Sequence, residues 1–199
     1  MKKIFQEFSF FHFFYLLICF FSTKIFFPKQ KMVRLPIFIR GGSGVVWGLN
    51  GSIGRTCRLE TFGNGRILFG NNVQLNDNVH VVAHNRIEIG DNVLIASRVF
   101  ITDLNHGCYD SVEMSSDPSI APAERPLFSK SVIISKNVWI GEGAAILPGV
   151  VIGEGAIIGA NAVVTKNIPK NSIAVGVPAK IIKVFDDKNK IWLQVNNEL

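Results

Sequence analysis

The stretch VIISKNVWIGEGAAILPGVVIGEGAIIGANAVV, residues 132–164, carries a period of six. Aliphatic side chains occupy every sixth position without a gap, which we call the hexad positions: Ile134, Ile140, Ile146, Ile152, Ile158 and Val164. A small apolar residue stands two positions before each of the later ones, at Val138, Ala144, Val150, Ala156 and Ala162. An α-helix repeats about every 3.6 residues, so this pattern excludes an amphipathic helix.

The same period extends towards the N-terminus, with two-residue slips between groups. Its earlier positions are Ile53, Leu59, Phe69, Leu75, Val81, Ile89, Ile95 and Ile101. Alternation within each hexad gives a short strand, and the Gly, Asn or Asp that follows tolerates the unusual φ of a corner. Three such units return the chain to its starting face. Stacked coils would then bury a single column of Ile, Val and Ala, so the sequence predicts an all-β parallel β-helix.

The six-residue period is interrupted after Ile101, and His106 lies at the start of the interruption. Residues 107–131, which we call the insertion, contain four acids, three prolines and Arg125. A long irregular segment in a compact repeat is usually functional, although its composition also fits a tolerated insertion. A neutral imidazole near pH 7 can take the proton of a hydroxyl group. His106 is therefore either the reason for the interruption or a loop histidine without a chemical role.

Five ordered motifs closely resemble the hexapeptide-repeat acyltransferases, in the branch that contains maltose, galactoside and xenobiotic acetyltransferases. The motifs are ITDLNHG (101–107), NVWIG (137–141), ILPGVVIG (146–153), VVTKNIP (163–169) and GVPAK (176–180). The likeness covers residues 50–183. It implies a left-handed β-helix domain over residues 41–183, acetyl-CoA as co-substrate without a metal, and a homotrimer. In that trimer the insertion would reach over the junction between subunits.

The resemblance also implies roles on the acceptor side. His106 would be the general base, and Asp103 or Asn105 would orient it, although Asp103 could instead cap a turn. Asn76 matches an asparagine that contacts the acceptor in the sugar acetyltransferases. His84, however, stands where those enzymes have an acidic acceptor contact, so maltose or galactoside specificity does not carry over.

On the donor side, the residues expected to contact acetyl-CoA are Trp139, Gly141, Ala145, Ala160, Thr165, Lys166, Lys180 and Lys183. The flat tryptophan would exclude water and hold the thioester end, or else serve as ordinary packing. Small residues would let coenzyme A approach the backbone, but coil corners also require them. The lysines would meet the adenosine phosphates, or remain solvated surface cations.

The N-terminal 40 residues form a basic, aromatic arm that we expect to be helical. They hold seven Lys or Arg against one acid and eleven of the sixteen phenylalanines, whereas the remainder of the chain is neutral. The net charge of +6 therefore belongs to the arm, and no nucleic-acid partner is expected. An apolar helix must be covered by a partner. We expect peripheral membrane contact through residues 1–34, and the alternative cover is the protein's own core or a neighbouring subunit.

Beyond residue 183, the segment FDDKNKIWLQV predicts a short C-terminal helix over residues 184–199, capped by Asp186 or Asp187. The three cysteines show no CxxC pair or metal spacing, which suits a reducing compartment. We therefore expect a cytoplasmic protein, located at the inner face of the membrane.

These features favour an acetyl-CoA-dependent O-acetyltransferase that modifies a sugar hydroxyl in capsule, lipopolysaccharide or exopolysaccharide biosynthesis. The segment RLPIFIRGG, residues 34–42, resembles the start of polysaccharide-biosynthesis members of the family. One alternative is a soluble acetyltransferase for small sugars or antibiotics. A carbonic-anhydrase-like lyase would need three zinc-binding histidines, but His80, His84 and His106 lack the expected spacing. A non-catalytic trimeric scaffold would not need both Trp139 and His106.

Overall fold

The computed structural model describes residues 9–109 and 114–195. Within these ranges one α-helix, α1 (Phe10–Phe26), precedes short strands that wind into a parallel β-helix of triangular coils. The observed fold agrees with the predicted β-helix, because strands occur at the hexad positions and corners occur between them. The two ends of the chain differ from the prediction.

Six coils and the start of a seventh stack on one another. The first three coils contain β1 (Met32–Val33), β2 (Ile37–Arg40), β3 (Val45–Val46), β4 (Ser52–Ile53), β5 (Cys57–Thr61), β6 (Arg66–Phe69), β7 (Gln74–Leu75), β8 (His80–Ala83) and β9 (Arg86–Ile89). The fourth coil contains β10 (Leu94–Ile95) and β11 (Phe100–Thr102), is interrupted by a hairpin of β12 (Leu104–His106) and β13 (Leu127–Ser129), and resumes with β14 (Val132–Ile134). The later strands are β15 (Trp139–Ile140), β16 (Ala145–Ile146), β17 (Val151–Ile152), β18 (Ile157–Ile158), β19 (Val163–Val164) and β20 (Ser172–Val175).

Each of the first five coils contributes one strand to each of three sheets, which form the faces of a prism, and the sixth contributes strands to the first two sheets. The first sheet runs through β1, β4, β7, β10, β15, β18 and β20, the second through β2, β5, β8, β11, β16 and β19, and the third through β3, β6, β9, β14 and β17. Pairing is parallel from coil to coil, so that Ile101 pairs with Ile146, and Ile146 with Val164. The predicted hexad residues therefore stack into one buried aliphatic column, the hexad column.

Corners of the prism repeat a left-handed backbone conformation. At the corners between the third and first sheets, five asparagines have φ between +52° and +60°: Asn50, Asn72, Asn92, Asn137 and Asn171. Asparagine tolerates this region better than most residues. The Asn72 side-chain amide donates to Asn92 Oδ1 at 3.0 Å, and that of Asn92 donates to Asn137 Oδ1 at 3.2 Å. The side chains thus link successive corners.

The N-terminal boundary differs from the expectation, because the β-helix begins before residue 41. Strands β1 and β2 already pair in parallel with β4 and β5. Helix α1 covers this first coil through one narrow face. Thr23 Oγ1 accepts the Val33 N–H at 2.8 Å, and the Tyr15 hydroxyl donates to the Leu35 carbonyl at 2.7 Å. Residues 1–8 of the predicted arm lie outside the described residues.

The remaining surface of α1 is apolar and exposed. Its exposed side chains are Phe10, Phe11, Phe14, Ile18, Phe20, Phe21, Ile25 and Phe26, with Phe11 at 84% and Ile25 at 70% exposure. Among the described residues, no helix combines the length and apolarity needed to cross a membrane. The first coil thus covers only part of the helix, and most of its large apolar side chains are exposed in a single chain.

At the C-terminus the structure replaces the predicted helix with a β-hairpin. Strands β21 (Lys180–Asp186) and β22 (Ile191–Gln194) are antiparallel and extend the first sheet beyond β20. Asp186 does act as a cap, since its Oδ1 accepts the Lys188 N–H at 2.8 Å. That bond stabilises the hairpin turn, and the open edge of β20 gives the following β-branched residues a strand to pair with. Residues 196–199 of the predicted helix lie outside the described residues.

Candidate active site

The insertion leaves the prism at the corner between the second and third sheets. Strands β12 and β13 form its antiparallel stem, with Leu104 opposite Ser129 and His106 opposite Leu127. His106 is exposed at the outer end of this stem. The stem that interrupts the hexads thus places His106 away from the regular surface of the coils.

The imidazole of His106 is held through one ring nitrogen. Its Nδ1 lies 3.1 Å from the Pro122 carbonyl oxygen, within the insertion. A carbonyl oxygen can only accept a hydrogen bond, so Nδ1 must carry the hydrogen. In the neutral ring the lone pair then resides on Nε2, which is the nitrogen that can act as a base.

The carboxylate of Asp103 binds main-chain N–H groups as the turn-capping alternative requires, and its orienting role towards His106 stays a prediction. The side chain is fully buried at 0% exposure. One carboxylate oxygen accepts the His84 N–H at 2.8 Å, and the other accepts the Asn85 N–H at 2.9 Å. Its own carbonyl accepts the Lys130 N–H at 2.8 Å, where the insertion returns. Asp103 therefore ties the insertion to the corner of the preceding coil.

Asn105 is the other candidate for orienting His106, and for this residue too the role stays a prediction. It lines a cavity of about 520 Å³ together with two of the predicted donor residues, Thr165 and Lys166. Lys130 and Asn167 also line this cavity, along with residues 147–149. The cavity thus presents amide, hydroxyl and ammonium groups beside the strand that ends at His106.

His84 lies at the same edge of the prism, in a separate cavity of about 420 Å³ that Ser129 of the stem also lines. Asn76 occupies a different edge, between the first and second sheets. There its N–H donates to the Ile95 carbonyl at 2.8 Å, and its carbonyl accepts from the Cys57 thiol at 3.1 Å. Burial raises the pKa of that thiol to about 11, so Cys57 stays protonated at neutral pH.

Several predicted donor residues lie away from His106 within one chain. Trp139 is 49% exposed on the outer face of the first sheet, between Leu94 and Ile157. Gly141 and Ala160 follow at the adjoining corner, and Ala145 is on the second sheet beside Phe100. Lys180 and Lys183 lie on β21 of the terminal hairpin. Within a single chain, the expected donor residues are therefore spread over two sheets, two corners of the prism and the terminal hairpin.

The corner geometry by itself explains why position 141 is glycine. A Cβ at Gly141 would lie 2.6 Å from the Ala160 amide nitrogen and 2.8 Å from the Gly159 carbonyl carbon. Close stacking of two coils thus requires glycine at this position with or without a ligand. Contact with coenzyme A remains a prediction for Gly141.

Sequence reasoning assigns no contact with His106 to three groups that the structure connects with it: the Pro122 carbonyl, Tyr109 and Arg125. The Tyr109 hydroxyl donates to the His106 carbonyl at 2.6 Å, and the Arg125 guanidinium donates to that hydroxyl at 2.8 Å. A backbone carbonyl has no residue signature, and partners within an irregular segment follow no period. The available signal is the concentration of proline and arginine directly after His106.

The remaining histidine of the coils, His80, is paired on the outer face of the second sheet. Its Nε2 lies 2.8 Å from Glu60 Oε2, which also accepts from Arg58 at 2.9 Å. Partial burial opposes ionisation of Glu60, but these hydrogen bonds outweigh it and lower the pKa of the carboxyl group. Over residues 9–109 and 114–195, no three His, Cys, Asp or Glu side chains converge as metal ligands would.

Comparison with known proteins gives a consistent assignment. The model of the bacterial transferase hexapeptide family, with six repeats, matches residues 131–166. The chain is 40% identical to a protein of Escherichia coli (strain K12) named as the lipopolysaccharide biosynthesis O-acetyl transferase WbbJ, over 85% of this chain and 87% of that protein. It is 36% identical to the galactoside O-acetyltransferase of the same organism, over 62% of this chain and 57% of the relative.

Among solved structures, AntD from Bacillus cereus has a similar fold. AntD is an N-acyltransferase crystallised with dTDP and 3-hydroxybutyryl-CoA. It superposes with a TM-score of 0.67 at 26% identity, over 80% of this chain and 84% of AntD. The sequence relatives and the structural neighbour thus share both a hexapeptide-repeat fold and an acyl-transfer activity.

Proposed function

The chain belongs to the bacterial hexapeptide-repeat acyltransferases, and from this premise we propose that it is an acetyl-CoA-dependent O-acetyltransferase of a sugar hydroxyl. The observation that carries the proposal is the His106 imidazole, whose Nδ1–H is bound by the Pro122 carbonyl. This bond leaves Nε2 as the basic nitrogen at an exposed position. Both curated relatives are named as O-acetyltransferases, which supports oxygen rather than nitrogen as the nucleophile.

In the proposed reaction, Nε2 of His106 takes the proton of the acceptor hydroxyl as that oxygen attacks the thioester carbonyl carbon. A carbon–oxygen bond forms while backbone N–H groups stabilise the oxyanion. The carbon–sulfur bond then breaks, and the proton on Nε2 passes to the leaving thiolate. A positioned general base of this kind contributes roughly 10²- to 10⁴-fold to the rate.

The donor set fits an acyl-coenzyme A. Lys166 and Thr165 line one cavity, so an ammonium group and a hydroxyl are available to bind a phosphate of the donor. AntD is solved with an acyl-coenzyme A, which supports the class of co-substrate. The acetyl group itself is proposed from the names of the two curated relatives.

We further propose that the active sites form between the chains of a homotrimer. Support comes from the separation of His106 and Trp139, because His106 leaves the corner between the second and third sheets and Trp139 lies on the outer face of the first sheet. A neighbouring chain could bring the face that carries Trp139 to the corner that carries His106. The test is to mix subunits of His106→Ala and Trp139→Ala. Each variant alone should be inactive or weak, and co-expressed mixed trimers should regain activity. Failure to regain it would contradict a shared site.

The acceptor is proposed to be a lipid-linked sugar of surface-polysaccharide assembly, presented at the cytoplasmic face of the membrane. Support comes from the exposed apolar face of α1 together with Lys29 and Lys31, which are exposed beyond its end. Phe11→Ser/Ile25→Ser changes two side chains that make little contact with the coil. This double variant should lose binding to vesicles rich in anionic lipid. Unchanged vesicle binding would favour the soluble enzyme for small sugars or antibiotics.

The activity is tested by transfer from labelled acetyl-CoA to a panel of lipid-linked and free glycans. We expect His106→Ala to lower kcat about 10²- to 10⁴-fold without changing the thermal midpoint. His12→Gln, a histidine change in the arm, is the matched control and should retain the rate on soluble acceptors. Full activity of His106→Ala would overturn the mechanism.

A further inference from the structure

We infer that Tyr109 and Arg125 form a clamp that positions His106 for proton transfer. This inference rests on the proposed function, in which His106 is the general base. It concerns two residues that do not touch the reacting atoms and act on the base through its backbone and its ring. The clamp consists of Tyr109, the Arg125 side chain and the Pro122 carbonyl.

The Arg125 guanidinium binds three separate points of the insertion. Its Nε donates to the Ile120 carbonyl at 2.9 Å, and its Nη2 donates to the Pro118 carbonyl at 3.0 Å. Its Nη1 donates to the Tyr109 hydroxyl at 2.8 Å. A planar guanidinium with fixed donors can hold three acceptors in one geometry, which lysine cannot do.

Two routes connect Arg125 with His106 and close a ring. Through the first route, the Tyr109 hydroxyl accepts from Arg125 and donates to the His106 carbonyl at 2.6 Å. Through the second, the Arg125 backbone N–H donates to the Pro122 carbonyl at 3.4 Å, and that carbonyl binds His106 Nδ1 at 3.1 Å. Arg125 therefore holds the main chain of His106 through its side chain and Tyr109, and the imidazole of His106 through its backbone N–H and the Pro122 carbonyl.

Gly107 makes room for the first route. Its backbone has φ of +108°, and a Cβ at this position would lie 2.7 Å from the Tyr109 hydroxyl oxygen. A side chain would thus displace the hydroxyl from its position between Arg125 and the His106 carbonyl. The glycine after the histidine is explained by the clamp as well as by the left-handed turn.

The clamp contributes to position more than to global stability. Tyr109 is exposed and Arg125 is partly buried at the surface, and polar contacts in such positions add little to the stability of the fold. Displacing a catalytic group by about 1 Å can cost roughly 10²-fold in rate. Loss of the clamp should therefore lower kcat by about 10- to 100-fold while the KM for acetyl-CoA and the urea midpoint stay unchanged.

The first test compares two tyrosines that make the same bond in different places. Tyr109→Phe removes the hydroxyl within the clamp. Tyr15→Phe removes a hydroxyl that donates to the Leu35 carbonyl at 2.7 Å in the arm, and serves as the matched control. We expect the kcat loss only in Tyr109→Phe. Equal kcat in both variants would overturn the role of Tyr109.

The second test concerns the guanidinium. Arg125→Lys keeps the charge but not the three donors, so we expect it to lose kcat nearly as fully as Arg125→Ala. Added guanidinium ion should restore part of the rate to Arg125→Ala and none to His106→Ala. Arg98→Ala, which removes an exposed arginine paired with Glu142, is the control and should keep the wild-type rate. Absence of both the loss and the rescue would overturn the role of Arg125.

The third test measures the tautomer of the His106 imidazole and does not depend on activity. Nitrogen-15 NMR of ring-labelled histidine should show the Nδ1–H form of neutral His106 in the wild type, and a mixture of both tautomers in Tyr109→Phe and Arg125→Ala. An unchanged tautomer in both variants would overturn the clamp.

Failure of the clamp and failure of the proposed function give different results. If His106→Ala is inactive and the clamp variants have wild-type kcat, the clamp is refuted and the base assignment stands. If His106→Ala is fully active, the function is refuted, and the tautomer measurement still decides the clamp. If the clamp variants lose kcat only in step with a lowered urea midpoint, their role is structural and the inference is overturned.

Discussion

The hexad column and the insertion are stabilised by different interactions. In the column, aliphatic side chains such as Ile140, Ile146 and Ile152 are fully buried, and each coil repeats the contacts of the next. In the insertion, the stem and the Arg125 clamp rely on hydrogen bonds to exposed groups. Burial of apolar surface is worth roughly 25 cal/mol per Å², whereas exposed polar contacts add little. Folding stability should therefore reside in the column, and catalysis in the insertion.

Asp103 connects the two regions through several hydrogen bonds. Its buried carboxylate binds the corner of the third coil, and its carbonyl binds the first residue after β13. Changes within the column should alter stability but not the rate per folded molecule. Changes within the insertion should do the reverse, and a change at Asp103 should alter both.

The largest expected effect on stability is that of Ile146→Ala. Ile146 is fully buried between Ile101 and Val164, and the substitution leaves a cavity that the stacked coils cannot close. We expect the free energy of unfolding to fall by about 2–5 kcal/mol, measured by urea titration at fixed protein concentration. The kcat of the folded fraction should not change.

The control for this change is Ile191→Ala, because Ile191 is 50% exposed on the terminal hairpin. It should shift the free energy by about 0.5 kcal/mol or less. Equal effects at both positions would mean that the column does not dominate stability.

A smaller effect on stability, combined with a loss of rate, is expected for Asp103→Asn. The amide keeps one acceptor oxygen but places an NH₂ group against a backbone N–H. Leaving a buried donor unsatisfied costs about 1–3 kcal/mol. Because β12 begins directly after Asp103, kcat should fall as well. Urea titration and the acetyl-transfer rate measure the two effects.

Asp91→Asn is the matched control. Asp91 is an exposed corner residue whose Oδ1 accepts the Asn71 N–H at 2.6 Å. It should change neither quantity appreciably. A variant of Asp103 that lost stability alone would show that the insertion keeps its geometry without this anchor.

The sequence predicts the residues of the hexad column better than the contacts of the candidate active site. The period of six reports burial directly, so hexad positions such as Ile95 and Ile158 are fully or almost fully buried. The first coil is harder to recognise. Val33 and Val45 fit the period, but Ile39 between them is 36% exposed, and the coil lies within a segment rich in aromatic and basic residues.

At the other end, Asp186 shows why local signals are ambiguous. An aspartate that caps main-chain N–H groups can begin a helix or close a hairpin turn, and only the neighbouring strand β20 decides between them. In the candidate active site, too, the contacts of a residue depend on neighbouring elements as well as on the local sequence. The position of His106 can be predicted from the interrupted rhythm, whereas its partner, the Pro122 carbonyl, depends on how the insertion folds back.

The smallest expected effect is a change in pH dependence at Asp77, on the corner between the first and second sheets. Burial alone would raise the pKa of Asp77, but hydrogen bonds and charge from Arg55, together with Arg34, lower it below its usual value. Arg55 Nη2 lies 2.9 Å from Oδ2, and Arg34 Nη2 lies 3.2 Å from Oδ1. These contacts join the corners of the first three coils.

A carboxyl group with a lowered folded-state pKa stabilises the protein above its unfolded pKa of about 3.9, and that stability is lost as the pH falls through the folded value. Asp77→Asn should therefore lose up to about 1 kcal/mol at neutral pH and show a shallower fall in the urea midpoint below about pH 4. Asp187→Asn, which removes an exposed carboxylate 3.9 Å from Lys190, should leave the pH curve unchanged. Identical acid limbs for wild type and Asp77→Asn would show that the corner ion pairs do not contribute to holding the first coils together. Stability would then come from the hexad column alone, and the comparison with the insertion would be sharper still.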